Sequence, residues 1–181
     1  MTADEFAWFA DRKLFDLLDG RLTPRPSGTR ASYHLGQLLS EVSAYTHRPN
    51  SGLAAFAGLA CRCFPGRPDH VRWASGGVTR LDRLAPDDWH AELCPVVPDV
   101  VISAVFPGET AGAVETRVQE WLAAGAKLVW VIDPDPKIVF CHTPAGVSIR
   151  READILTGDP VLPGFSVPVA DLFKLPTATP A

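Results

Sequence analysis

Three sets of residues in this chain have types and spacings that could do chemistry. Cys61-Arg62-Cys63 places two thiols two positions apart, on one face of an extended strand. A zinc site needs four ligands, commonly in pairs, and no second Cys or His pair lies near in sequence. Small free thiols on one strand face are more simply core residues. Asp99 opens the run Pro98-Asp99-Val100-Val101-Ile102-Ser103, in which alternation sets Asp99, Val101 and Ser103 on one face. A carboxylate at the mouth of a buried strand suits a metal ligand, and it equally suits a strand end tied to a neighbouring loop. The five histidines (His34, His47, His70, His90, His142) form no sequence cluster. Neither a Gly-x-Ser-x-Gly elbow nor a phosphate-cradling glycine loop ending in Lys-Ser/Thr is present, which argues against hydrolases of those two kinds.

Local patterns define the elements that must position these groups. Thr2 and Glu5 form a capping box for a helix through about Leu18, stopped by Asp19-Gly20. A short strand at Arg21 to Thr23 ends before Pro24 and Pro26. A second helix spans about Ser27 to His47, with Leu35, Leu38, Leu39, Val42 and Tyr45 as its apolar stripe. Leu59, Cys61 and Cys63 alternate as a strand, and His70 to Trp73 forms the returning one, which Gly76-Gly77 is expected to interrupt. The segment from Ala85 to Glu92 is weakly helical. Val96 to Phe106 is a near-continuous apolar run, typical of a strand covered on both faces. Thr110 to Ala124 is an amphipathic helix closed by Gly125, with Val114, Val118, Trp121 and Leu122 inward. Strands at 128–132 and 137–141 come next. Trp121, Trp130 and Leu128 are expected where helix meets sheet. The pattern implies a mixed sheet with packed helices, one α/β domain over residues 1–175, and a loose tail at 176–181.

Composition sets the class. With 181 residues, 46% apolar and 21% charged, the chain is long enough for one core and too apolar for disorder. No apolar run approaches the roughly 18 residues of a membrane helix. Met1 to Phe9 carries Asp4 and Glu5 and no basic stretch, so a secretory signal is not expected. Cys61, Cys63, Cys94 and Cys141 are expected reduced, as in a cytoplasmic protein. The net charge of -4 conceals an asymmetry. Arg21 to Arg83 holds nine basic residues against three acids, and from Ala85 onward six basic residues face thirteen acids. Such a division suits a basic face meeting a polyanion, or simply an uneven solvated surface.

Glu120 to Pro134 (EWLAAGAKLVWVIDP) resembles the helix–strand signature of the Uma2 family of restriction-endonuclease-like proteins, within the PD-(D/E)XK nuclease superfamily. Leu162 to Phe173 (LPGFSVPVADLF) resembles its C-terminal signature and Leu17 to Leu22 (LLDGRL) its N-terminal one. Cys61 to Pro65 and Asp69 to Arg72 also fit, and the likeness runs in order from about Leu14 to Phe173. The resemblance implies a restriction-endonuclease-like mixed β-sheet flanked by helices. It also implies Mg²⁺-dependent phosphodiester hydrolysis of DNA, with two strand-end carboxylates holding the cation and a lysine beside the attacking water.

Carried over by position, those three groups are replaced. The first acid, which in the family comes after a proline, falls on Ser75 of Ala74-Ser75. The second, a strand glutamate, falls on Ser103, and the helix lysine falls on Arg117. The expectation is therefore a nuclease-like domain directed at nucleic acid whose cleavage is lost, its old cleft near Ser75, Asp99, Ser103 and Arg117. Asp99 is the candidate metal ligand that remains, and Arg117, Arg72 and Arg62 are the candidate nucleic-acid contacts. Two alternatives stay open: an active Mg²⁺-dependent endonuclease using Asp99 and a relocated acid, and a non-catalytic protein–protein module. A homodimer or an active paralogue would be the partner besides DNA.

Overall fold

The structure is a computed structural model and describes residues 1–176. Thr2 caps the first helix, α1 (Ala3–Ala7), with the reciprocal bonds of the capping box to Glu5. That helix does not continue to Leu18. After a 3₁₀ turn the chain becomes β1 (Phe15–Leu18), which pairs antiparallel with β2 (Arg21–Pro24). Asp19 and Gly20, both at positive φ (50° and 82°), are the two-residue hairpin turn between them rather than a helix stop. Leu17 exchanges backbone hydrogen bonds with Val71, which docks the hairpin on the approach to a main-sheet strand.

The long helix α2 (Thr29–Thr46) leads to β3 (Leu53–Cys61) and β4 (Arg72–Arg80). Strand β4 runs through Gly76-Gly77 instead of breaking there. A Cβ on Gly76 would run into Leu39 Cδ2 of α2, and one on Gly77 would lie 3.1 Å from Pro98. The glycines let neighbours approach closely on both sides of the strand, so they are packing residues here. Next come β5 (Val100–Ala104), α3 (Ala111–Ala124), β6 (Leu128–Asp133), β7 (Ile138–Thr143) and β8 (Gly146–Arg150). Helix α3 has Thr110 as its N-cap and Gly125 in the left-handed region at its end, as its sequence implies. The chain closes with the hairpin β9 (Ile155–Gly158) and β10 (Leu162–Pro168) and the short α4 (Val169–Leu172).

The main sheet has six strands in the order β3-β4-β5-β6-β7-β8, and only β5 and β6 run parallel. Helix α3 is the crossover between them. Alternation then divides the core. Val101, Val129 and Val131 face α3 with Val118 and Trp121, whereas Ile102, Leu128, Trp130 and Ile132 face α2, β10 and α4. Trp121 and Trp130 are both fully buried, but on opposite faces of the sheet. Trp130 stacks near Phe165 of β10, at 5.3 Å between ring centroids, and not under α3. The expected tail lies, apart from residue 176, outside the described residues. Among the described residues no helix is long and apolar enough to cross a membrane.

Candidate functional site

Strands β4 and β5 pair antiparallel with Gly76 opposite Ile102, so one step further along the same register come Ser75 and Ser103. Both lie just past the point where the β4–β5 ladder ends. There Ser75, Ser103 and Arg117 line one small cleft of about 20 Å³, together with Asp16, Arg25, Pro26, Trp73 and Phe106. The three positions assigned by resemblance thus meet in space although they are far apart in sequence.

Asp16 is the carboxylate that sequence reading missed. It arrives on β1 because the Asp19-Gly20 hairpin bonds to Val71. Its side chain accepts from the Trp73 amide (3.0 Å) and from Arg72 Nη1 (3.0 Å). Burial pushes its pKa up, against the lowering pull of that amide and of Arg72, Arg25 and Arg117. Arg25 enters from β2's end, with its guanidinium carbon 4.8 Å from the Trp73 ring centroid and Nη1 donating to Lys13 O at 2.7 Å. Among the described residues it forms no ion pair shorter than 4 Å. A helix reading of residues 3–18 hid Asp16, since only the hairpin turn places it on a strand.

Arg117 is largely covered and committed. Its fork grips Glu109, with a further bond from Nη2 to Ala104 O at 3.1 Å, and Glu109 also accepts from the Phe106 amide at 2.9 Å. A charge-neutral bidentate pair therefore stands at the position to which the resemblance assigns a lysine.

Asp99 lies elsewhere. It is on the same strand face as Ser103, but four residues away along β5, roughly 13 Å. It is 1% exposed, ion-paired with Lys127 Nζ at 2.8 Å and Arg83 Nη1 at 2.9 Å, and accepts a hydrogen bond from the Arg80 amide at 3.0 Å. Burial pushes its pKa up, but Lys127, the Arg80 amide and Arg83 outweigh that and hold it below the ordinary carboxylate value. Its backbone carbonyl also accepts from Lys127 and Leu128, so Asp99 is a clamp joining the starts of β5 and β6. Expecting it in the cleft is corrected by this placement.

The expected nucleic-acid contacts are likewise redistributed. Arg72 is buried between Asp16 and Glu120. Arg62 binds Asp4 of α1 at 2.7 Å and Pro68 O at 2.9 Å, away from the cleft. The Arg72 fork serves packing, the Arg62 fork makes a surface ion pair, and Arg25 is the cation that faces the cleft without a carboxylate of its own.

The cleft residues do not fit a divalent cation. Mg²⁺ prefers several anionic oxygens in octahedral array. Here one carboxylate with both oxygens already hydrogen-bonded stands beside two neutral hydroxyls. Among the described residues no group of three or more His, Cys, Asp or Glu is arranged to hold a metal ion. Restoring Ser75→Asp, Ser103→Glu and Arg117→Lys together adds two carboxylates beside Asp16. Mn²⁺ calorimetry is expected to show binding in the triple variant and none in any single variant, because one added acid cannot complete the shell. A folded triple variant with no gain in affinity would contradict the assignment of these positions.

The chain matches the Uma2 family, described as "Putative restriction endonuclease", over residues 3–170. No protein of curated function matches it significantly. Its fold is similar to that of a crystal structure titled as a "putative nuclease belonging to DUF820" from Anabaena variabilis ATCC 29413. The two superpose with a TM-score of 0.78 at 21% identity, covering 96% of this chain and 97% of that one. With the family pattern spanning nearly the whole chain and the fold in agreement, this protein belongs to the Uma2 family of restriction-endonuclease-like proteins.

Proposed function

We propose that this domain binds nucleic acid at the cleft end of the sheet and does not cleave it by metal-dependent hydrolysis. The observation that carries the reading is the meeting of Ser75, Ser103 and Arg117 in one cleft, where the resemblance expects two acids and a lysine. A phosphodiester lying over the mouth of this cleft would meet Arg25 and the Ser75 hydroxyl, but no cation cage to activate water.

The cleft opens beside a groove of about 630 Å³ whose wall is largely apolar, with Lys13, Arg25, Ser27, Ser32 and Ser75 as its polar groups. Its two cations and several hydroxyls suit a sugar–phosphate backbone, which is recognised mainly through charge and hydrogen bonding. Arg25 is the main anchor in this reading, since Arg72 and Arg117 already hold carboxylates.

The test is fluorescence anisotropy with labelled single- and double-stranded oligonucleotides at low salt. Arg25→Ala is expected to weaken binding about tenfold and to lower the dependence of log K on log salt by about one unit. No binding by the wild-type protein at low salt, or equal affinity in the variant, would contradict the proposal and favour a protein-interaction role.

A further inference from the structure

Three of the four cysteines, which play no part in the cleft, converge where β3 ends. Cys61 and Cys94 face each other in a parallel β-bridge. The Arg62 amide donates to Cys94 O at 2.9 Å and the Cys94 amide to Ala60 O at 2.8 Å, which fixes the two backbones on either side of Cys61. Facing residues of adjacent strands have Cα atoms about 4.8 Å apart, inside the window of about 4.4–6.8 Å that a disulfide spans without moving the backbone. Cys63 packs against the same core cluster, together with Phe64 and Trp121.

We propose that Cys61 and Cys94 form a reversible disulfide, with Cys63 as the thiol through which a small disulfide oxidant such as oxidised glutathione gains access. Cys61 is fully buried and Cys94 nearly so, whereas Cys63 is half-buried and meets solvent. The thiols influence one another. Hydrogen bonds to Cys63 and Cys94 push the Cys61 thiol up, and the bond to Cys61 draws Cys94 down to about 7. Cys94, which makes the closing attack, thus has its pKa near ambient pH, close to the optimum for exchange. Cys141, on the other face of the sheet, is pushed up to about 11 by burial and serves as an internal control.

The exchange balances in three steps. Cys63 thiolate attacks one sulfur of the oxidant, whose disulfide bond breaks and releases one glutathione thiolate. Cys61, giving up its proton to the departing glutathione sulfur, then attacks the Cys63 sulfur and releases the second glutathione as a thiol. Cys94 thiolate finally attacks the Cys61 sulfur, forming Cys61–Cys94 and returning Cys63 as a thiolate. Two protein thiols are oxidised, one small disulfide is reduced to two thiols, and the protons pass to those thiols. The product staples the end of edge strand β3 to the segment that leads into β5. A soft-metal site at the same thiols is disfavoured, because no metal-holding cluster is formed among the described residues.

The test equilibrates the full chain at pH 7 in glutathione buffers of graded ratio, then quenches with acid, alkylates and maps the peptides by mass. The expected oxidised form has two fewer alkylated thiols, a Cys61–Cys94 linked peptide, free Cys63 and Cys141, and full reversal by dithiothreitol. Cys63→Ser is expected to reach the same linkage about tenfold more slowly, because the accessible attacking thiol is gone. The wild-type map stands whether or not a Cys61 or Cys94 variant folds. Four alkylatable thiols at the most oxidising ratio, a final bond to Cys63 or Cys141, a stable glutathione adduct, or an unchanged rate in Cys63→Ser would each overturn the proposal.

Discussion

Trp130→Ala is expected to lower the unfolding free energy by about 3–5 kcal/mol, the range for emptying a large aromatic site in a packed core. Trp130 is wholly buried on central strand β6, flanked by β5 and β7. Its ring is held between the sheet and Phe165 of β10, so the void would open at the junction of the main sheet and the C-terminal hairpin. Neither layer can collapse easily into the gap, since β6 is pinned on both sides by ladder hydrogen bonds. Urea unfolding of wild type and variant measures the difference. A loss below about 1 kcal/mol would mean that the site relaxes or is not packed as described.

Glu120→Gln is expected to cost up to about 3 kcal/mol near neutral pH and to erase most of that loss in acid. Glu120, on α3, accepts from Arg67 Nη1 at 2.7 Å and from Arg72 Nε, and His70 Nε2 lies 3.7 Å away. Burial pushes its pKa up, but His70, Arg67 and Arg72 overcome that and hold it at about 2. The unfolded value is near 4.3. A depressed carboxylate stabilises the fold fully above the unfolded pKa, and this contribution is lost as pH falls through the folded one. The wild-type protein should therefore lose this increment between about pH 5 and pH 2, while the glutamine variant changes less over that window. Denaturant unfolding of both proteins across pH 2–7 checks the sign. A pH-independent gap between the two curves would contradict it.

The strong hydrophobic periods made much of the fold legible. The stripe of α2, the Thr110 cap and Gly125 stop of α3, and the apolar runs of β5 and β6 each specify their element locally. The failures share a cause, in that a short segment's conformation was decided by what it packs against. Residues 15–18 have helix-compatible types, yet the hydrogen bonds of Leu17 to Val71 draw them into a hairpin. Gly76-Gly77 has breaker composition, yet the strand continues through it, and the missing side chains make room for Leu39 and Pro98.

The site divided in the same way. Ser75, Ser103 and Arg117 were placed by an ordered sequence pattern, and the strand register brings them together. Asp99 stands at a strand mouth, where an acid can serve either as a metal ligand or as a tie to a loop. Whether such an acid faces a cleft or a clamp depends on Lys127 and Arg83, and local sequence does not reveal that they converge on it. Asp16, Arg25 and Glu109 escaped notice because each depends on a tertiary neighbour: Val71, Trp73 and Arg117 respectively.

The most direct measurement is a nicking assay on supercoiled plasmid with graded Mg²⁺ and Mn²⁺. It is run with wild type and Asp16→Asn, the one carboxylate in the cleft. A domain whose cleft lacks a cation cage leaves the plasmid supercoiled at every metal concentration, alone or with the variant. Metal-dependent nicking by the wild-type protein that disappears in Asp16→Asn would contradict the account and identify a working nuclease.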